Sequence, residues 1–133
     1  MEKGIIIVDE NVPLGLKANI SAILGMTFGK RFPNVVGNDV STIDGKTIAG
    51  ITQIPLPILQ SSCQRISEIF MVYRDSEIFV AVFDNSALTT KNYLDYEEKI
   101  ASGTLSQIKV HGLLAYGSKK AINKISADLP LLK

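Results

Sequence analysis

The sequence predicts an α/β domain: a parallel or mixed sheet with helices on both faces. Three observations carry this. The runs Ile5–Val8, Ile78–Phe83 and Ile108–Gly117 are almost continuously apolar, as strands covered on both sides are. Other segments place their apolar residues at helical spacing along one stripe. The two kinds alternate along the chain, which is the order expected of a sheet flanked by helices. At 133 residues the chain suits one domain, residues 1–133, with about two thirds of its unfolded surface buried.

Each element has a local reason. Ile5–Val8 opens the sheet, and Asp9-Glu10-Asn11-Val12-Pro13-Leu14-Gly15 is a polar loop with both Pro and Gly. Leu16, Ile20, Ile23, Leu24 and Phe28 then line one helical stripe, which Gly25 and Gly29 bring to a stop near Lys30. Asp44-Gly45, inside Val40–Ile48, predicts a hairpin with a type I′ turn. Ile51–Leu59 is extended, and Pro55 and Pro57 place it at an edge or as a strap across the sheet. Ser61-Ser62 caps a helix carrying Cys63, Ile66, Phe70 and Tyr73, ended by Asp75-Ser76. After Ile78–Phe83, Thr89-Thr90 caps a helix with Tyr93, Tyr96 and Ile100 facing the core. Ile108–Gly117 is the last strand and Lys119–Ser126 the last helix.

Composition excludes several classes. No apolar stretch nears the roughly 20 residues of a membrane span, and the apolar start lacks the length and cleavage site of a secretory leader. The lone Cys63 excludes an internal disulfide, so a cytoplasmic location is expected. The net charge is +1, and the basic groups Lys30-Arg31 and Lys119-Lys120-Lys124 read as solvated helix ends. That leaves room for a weak contact with nucleic acid only. Gly25 to Lys30 has the wrong spacing for a phosphate loop, and no cofactor motif is present. The single histidine, His111, has no Cys or His at ligand spacing, so no metal site is expected. His111 reads as a packed strand residue and Cys63 as part of its helix's apolar stripe.

Ligands of such sheets collect beyond the carboxyl ends of the strands. Two polar loops stand there: Asp9 to Asn11, and Asp84 to Ser86. If their strands are neighbours, Asp9 and Asp84 come together beside Lys17 and Asn19, with hydroxyls from Ser86, Thr89 or Thr90 and the Tyr93 phenol at the rim. Such a set could do acid–base or hydrogen-bonding work. The same Asp and Asn residues also serve simply to make loops and cap helices.

Leu113-Leu114-Ala115-Tyr116-Gly117-Ser118, then Ile122, Ile125, Ser126 and Leu129-Pro130-Leu131-Leu132, resemble the closing strand and helix of type 2 peptidyl-tRNA hydrolases. Asn11-Val12-Pro13-Leu14-Gly15 resembles that superfamily's Asp-Leu-x-x-Gly turn, and Asp84 to Thr89 its Asp-Ala-Gly-x-Thr segment. From Ile5 to Lys133 the sequence is more similar still to a bacterial family of unknown function with the same fold. The marks are Gly15 with Asn19, Gly50-Ile51-Thr52 with Pro55 and Pro57, Thr89-Thr90, Tyr93, Tyr96 and the Leu-Pro-Leu-Leu ending. The resemblance implies a three-layer α/β/α fold with a mixed, roughly four-stranded sheet, type 2 peptidyl-tRNA hydrolase-like, and a homodimer. It also marks departures: Asn11 stands where the hydrolases have Asp, Lys17 is shifted, and the helix before Ser102 is an insertion.

Two functions follow as expectations. One is a module that binds a small ligand or a nucleic-acid end, such as that of tRNA, through Asp9, Asn11, Gly15, Asn19, Ser86, Thr89 and Tyr93. The other is a hydrolase of an ester or amide such as peptidyl-tRNA. There Lys17 and Asn19 polarise the carbonyl and Asp84 orients a water.

Overall fold

The computed structural model describes all 133 residues. Its elements run β1 (Glu2–Asp9), α1 (Leu14–Arg31), β2 (Val40–Ser41), β3 (Thr47–Ile48), β4 (Ile58–Ser61), α2 (Cys63–Tyr73), β5 (Phe79–Asp84), α3 (Asn85–Thr89), α4 (Tyr93–Ser102), β6 (Val110–Ser118) and α5 (Lys119–Ser126). Four strands form a mixed sheet in the order β4-β1-β6-β5. β1 pairs in parallel with β4, while β6 runs antiparallel to both β1 and β5. Because β6 alone runs the other way, its amino end meets the carboxyl ends of β1, β4 and β5.

The unbroken Ile5-Ile6-Ile7-Val8 run is apolar because both of its faces are covered. Ile5 and Ile7 join one core with Ile66 and Ile69 of α2, Ile122 and Ile125 of α5, and Leu113 and Ala115 of β6. Ile6 and Val8 join the opposite core with Ile20, Leu24 and Phe28 of α1, and Leu114 of β6. Burying each such side chain contributes about 1.5–3 kcal/mol. α1 approaches β6 closely because Gly112 has no side chain. A Cβ there would lie 2.2 Å from Cγ2 of Ile20.

β4 lies at the sheet edge, as its preceding prolines predict, and Pro57 still accepts from Ile6 N–H at 3.0 Å. The chain end covers the outer side of that strand: Gln60 N–H donates to Pro130 O at 3.0 Å, and Leu132 N–H to Ile58 O at 2.9 Å. The Leu-Pro-Leu-Leu ending thus occupies backbone groups that an open edge would expose. No helix is long and apolar enough to cross a membrane.

Three expectations are corrected. The hairpin turn is not type I′, which needs positive φ at both central residues. Only Gly45 has it, at 81°, in a longer loop closed by Thr42 N–H to Lys46 O at 2.8 Å. The fourth helix is capped by Asn92, whose side chain accepts from Asp95 N–H at 2.9 Å, while Thr89 ends the short α3. α4 buries no residue, and Tyr93 is 72 % exposed. Its helical spacing is real, but the apolar surface opposite is separated from it by an open cleft, and only Tyr96 is partly buried. Finally, β1 and β5 are not neighbours, because β6 runs between them. Asp9 and Asp84 are therefore on strands held apart, and Asp9 has a different partner.

Candidate functional site

That partner is His111. Strand parity places Asp9 on the same face as Ile5 and Ile7. His111 is the extra residue of a β-bulge between Gly112 and Val110, and its ring reaches Asp9 on that face. Both side chains therefore rise towards α2 at the end of the sheet. Asp9 is 4 % exposed. Its Oδ1 accepts from Asn11 N–H at 2.9 Å, which fixes the carboxylate plane. Its Oδ2 meets His111 Nδ1 at 2.8 Å. A carboxylate only accepts, so Nδ1 carries a proton, and Nε2 is the nitrogen left free for other chemistry.

Cys63 completes the group. Ligating atoms of Asp9, Cys63 and His111 all lie within 4.8 Å of one another. Cys63 is there because the chain turns from β4 straight into α2: Ser61 lies opposite Asp9, Ser62 caps the helix, and Cys63 is its first residue. Ser62 Oγ takes the N–H of Arg65 at 3.1 Å. The N–H groups of Cys63 and Gln64, in the first turn, have no carbonyl within the helix to reach. They leave partial positive charge beside the sulfur, where an anion is favoured. Ser67 locks the assembly by donating to Cys63 O at 2.8 Å and accepting from Val110 N–H at 3.0 Å. The thiol and the imidazole therefore sit on elements tied to each other. The His111 side chain is 17 % exposed, so the group is shielded yet reachable.

Cys63 and His111, read from the sequence as packing residues without ligand spacing, thus stand with Asp9 in one group of potential ligand atoms that their sequence positions did not show. Of the residues predicted for a site, Asp9 is in it, and Asn11 touches it only through its backbone. Lys17 is half-buried on α1, and Asn19 is exposed. Lys17 makes no salt bridge with Asp84. Gly15 is exposed in the first turn of α1, with open space where a side chain would be. Ser86 O accepts from Thr90 Oγ1 at 2.9 Å, and Thr89 Oγ1 accepts from Lys99 Nζ at 2.8 Å. These contacts are internal to the segment carrying α3 and α4.

Asp84 is fully buried. One oxygen caps α3 by accepting from Ala87 N–H at 3.4 Å, and the other has no partner. Nearby, α4 overhangs a cleft of about 500 Å³ lined mainly by apolar residues, among them Ile23, Leu24, Phe83, Tyr93 and Tyr96. The rings of Tyr93 and Tyr96 are 5.6 Å apart. Burial pushes the Tyr96 phenol above the ordinary 10.0, and the charges of Asp84 and Tyr93 push it further. A raised phenol favours the folded state below the unfolded value, and that contribution is lost as pH rises from about 10 through the folded value. Tyr96→Phe is accordingly expected to flatten the fall of Tm above pH 10, and Asp84→Asn to lower the Tyr96 titration midpoint. Spectrophotometric tyrosine titration checks the second, and an unmoved midpoint would place Asp84 too far away to matter.

No curated protein matches the chain. A solved structure of a protein of unknown function from Agrobacterium tumefaciens superposes with a TM-score of 0.89, covering 99 % of this chain and 98 % of that one at 14 % identity. At that identity the likeness is one of fold alone. Residues 2–133 match the family model DUF2000, described as protein of unknown function, and the chain belongs to that family.

Proposed function

We propose that the chain is a thiol-dependent hydrolase of esters, thioesters or activated amides, with Cys63 as nucleophile, His111 as base and Asp9 as the group that orients it. The observation behind this is the 2.8 Å contact of Asp9 Oδ2 with His111 Nδ1, beside a cysteine at a helix start. Carboxylate, imidazole and thiol are the groups that acyl-transfer sites use on unrelated folds, and with Nδ1 on Asp9 the proposal assigns Nε2 to the thiol.

The steps balance with these groups alone. His111 Nε2 takes the Cys63 proton as sulfur attacks the carbonyl carbon. The N–H groups of Cys63 and Gln64 are the donors assigned to the developing oxyanion. The leaving alcohol, thiol or amine departs with the proton from His111, leaving an acyl thioester on Cys63. Water, activated by the same nitrogen, releases the acid and restores the thiol.

This reading keeps the ester or amide hydrolase expected from the sequence but moves it off Lys17 and Asp84. Peptidyl-tRNA, whose peptide is held by an ester, falls within the substrate class. The sheet order and the two cores also support the type 2 peptidyl-tRNA hydrolase-like, three-layer reading of the fold. A binding role at the cleft beneath α4 is the second reading, favoured by its apolar lining and paired tyrosines.

A panel of nitrophenyl esters, alkyl thioesters and peptidyl-tRNA tests the proposal. Turnover of at least one, lost in Cys63→Ala and retained in Asp84→Asn, is the expected result. The opposite pattern, with Cys63→Ala active and Asp84→Asn dead, would return the chemistry to Asp84. No turnover by the wild-type protein, joined to a ligand-induced rise in Tm that Tyr96→Ala removes, would favour the binding role.

A further inference from the structure

We propose that Asp9, Cys63 and His111 also form a reversible site for a thiophilic divalent cation of the Zn²⁺ class, which blocks the thiol when bound. The regulatory consequence rests on the thiol reading above, but the binding does not. The donor set is one sulfur, one imidazole nitrogen and one carboxylate oxygen, within 4.8 Å of one another. Sulfur and nitrogen donors suit Zn²⁺, whereas Mg²⁺ and Ca²⁺ call for oxygen ligands that this cluster does not supply. Zn–ligand bonds of about 2.0–2.3 Å in a tetrahedron put the donors roughly 3.3–3.7 Å apart. Reaching that spacing takes at most about 1 Å of inward movement at any pair, within the range of a side-chain torsion adjustment. Coordination through Nδ1 moves its proton to Nε2 and opens the 2.8 Å Asp9–His111 contact by a few tenths of an ångström.

Charge and rigidity favour the site as well. A thiolate and a carboxylate neutralise the dication, so the loaded, mostly buried cluster carries no net charge. The elements that supply the donors are fixed by bonds already described: Asn11 N–H on Asp9, and Ser67 bridging Cys63 to Val110. Three protein donors leave the fourth position of a tetrahedron for water, the pattern of an open zinc site. Binding releases one proton, from the thiol or from the imidazole that holds it, so affinity rises with pH. With the sulfur's electron pair on the metal, attack on a carbonyl stops.

The experiment uses the full chain stripped of metal by a chelator, then titrated with Zn²⁺ or Co²⁺. The expected results are one Zn²⁺ per chain, a thiolate-to-cobalt charge-transfer band with Co²⁺, and alkylation of Cys63 by iodoacetamide slowed at least about tenfold by one equivalent of Zn²⁺ and restored by chelator. His111→Ala and Asp9→Ala should each weaken Zn²⁺ binding by at least about 10-fold, since removing even outer-shell partners costs 10–100-fold. The conservative Cys63→Ser should remove the cobalt band while circular dichroism keeps its shape. Binding unaffected by His111→Ala, or alkylation unchanged at saturating Zn²⁺, overturns the metal site. If metal-free protein turns over esters and Zn²⁺ does nothing, only the metal proposal falls. If Zn²⁺ binds as described but the metal-free protein is inactive, the metal site stands and the thiol reading falls.

Discussion

Asp9→Asn is expected to lower kcat/KM by about 10³-fold, although the substitution exchanges one oxygen for one nitrogen. The reason is the hydrogen bond at the other end of the carboxylate. Asn11 N–H donates to Asp9 Oδ1 at 2.9 Å, so an amide in that place keeps its oxygen there. Its NH₂ then points at His111 Nδ1, where Asp9 Oδ2 now sits at 2.8 Å. A donor facing Nδ1 makes that nitrogen the acceptor and puts the proton on Nε2. The imidazole is then in the wrong tautomer to take a proton from Cys63. Activity against the ester panel measures the loss, and circular dichroism with Tm verifies that the fold is retained. A loss of less than about tenfold would mean that His111 does not act through Nε2.

Gly112→Ala is expected to destabilise the protein by about 3 kcal/mol, a fall in Tm of about 10 °C. The new Cβ would stand 2.2 Å from Cγ2 of Ile20 and 3.4 Å from Cδ1 of Leu24. Ile20 is fully buried and β-branched, so it has no free rotamer to retreat into. α1 must therefore lift from the sheet. The check is a double-mutant comparison of chemical denaturation midpoints. Ile20→Ala alone costs about 2–5 kcal/mol by leaving a cavity, and the pair should cost well below the sum. Strict additivity would mean that α1 does not rest on Gly112.

Much of the fold was readable from residue pattern. Ile5–Val8 announced a strand covered on both faces, Pro55 and Pro57 announced an edge, and Ser62 announced the start of α2. Strand order was not readable. Periodicity identifies strands without saying which ones pair, and placing β6 between β1 and β5 decides that Asp9 meets His111 rather than Asp84. Those two partners lie 102 residues apart in sequence.

The place of Cys63 beside Asp9 and His111 went unseen for a related reason. Cys63 continues the stripe of Ile66 and Phe70, and a stripe does not reveal where the core under it ends. Its first position lies beyond the sheet's apolar body, among polar groups. One signal was available: a cap at Ser62 after a strand puts Cys63 at a helix start, where a thiol has both exposure and nearby N–H dipoles. Tyr93 was misread in the opposite direction, because helical spacing on α4 does not say how closely the helix approaches the apolar surface beneath it.

Acylation of Cys63, with His111 as its base, is the step on which the proposed chemistry depends. Intact-mass measurement of the protein, quenched in acid during turnover of an activated ester or thioester, tests it directly. One added acyl group per chain is expected, located on Cys63 by peptide mapping, absent in Cys63→Ala and formed at least about 10²-fold more slowly in His111→Ala. Acylation on another residue, or at Cys63 with a rate indifferent to His111, would contradict it.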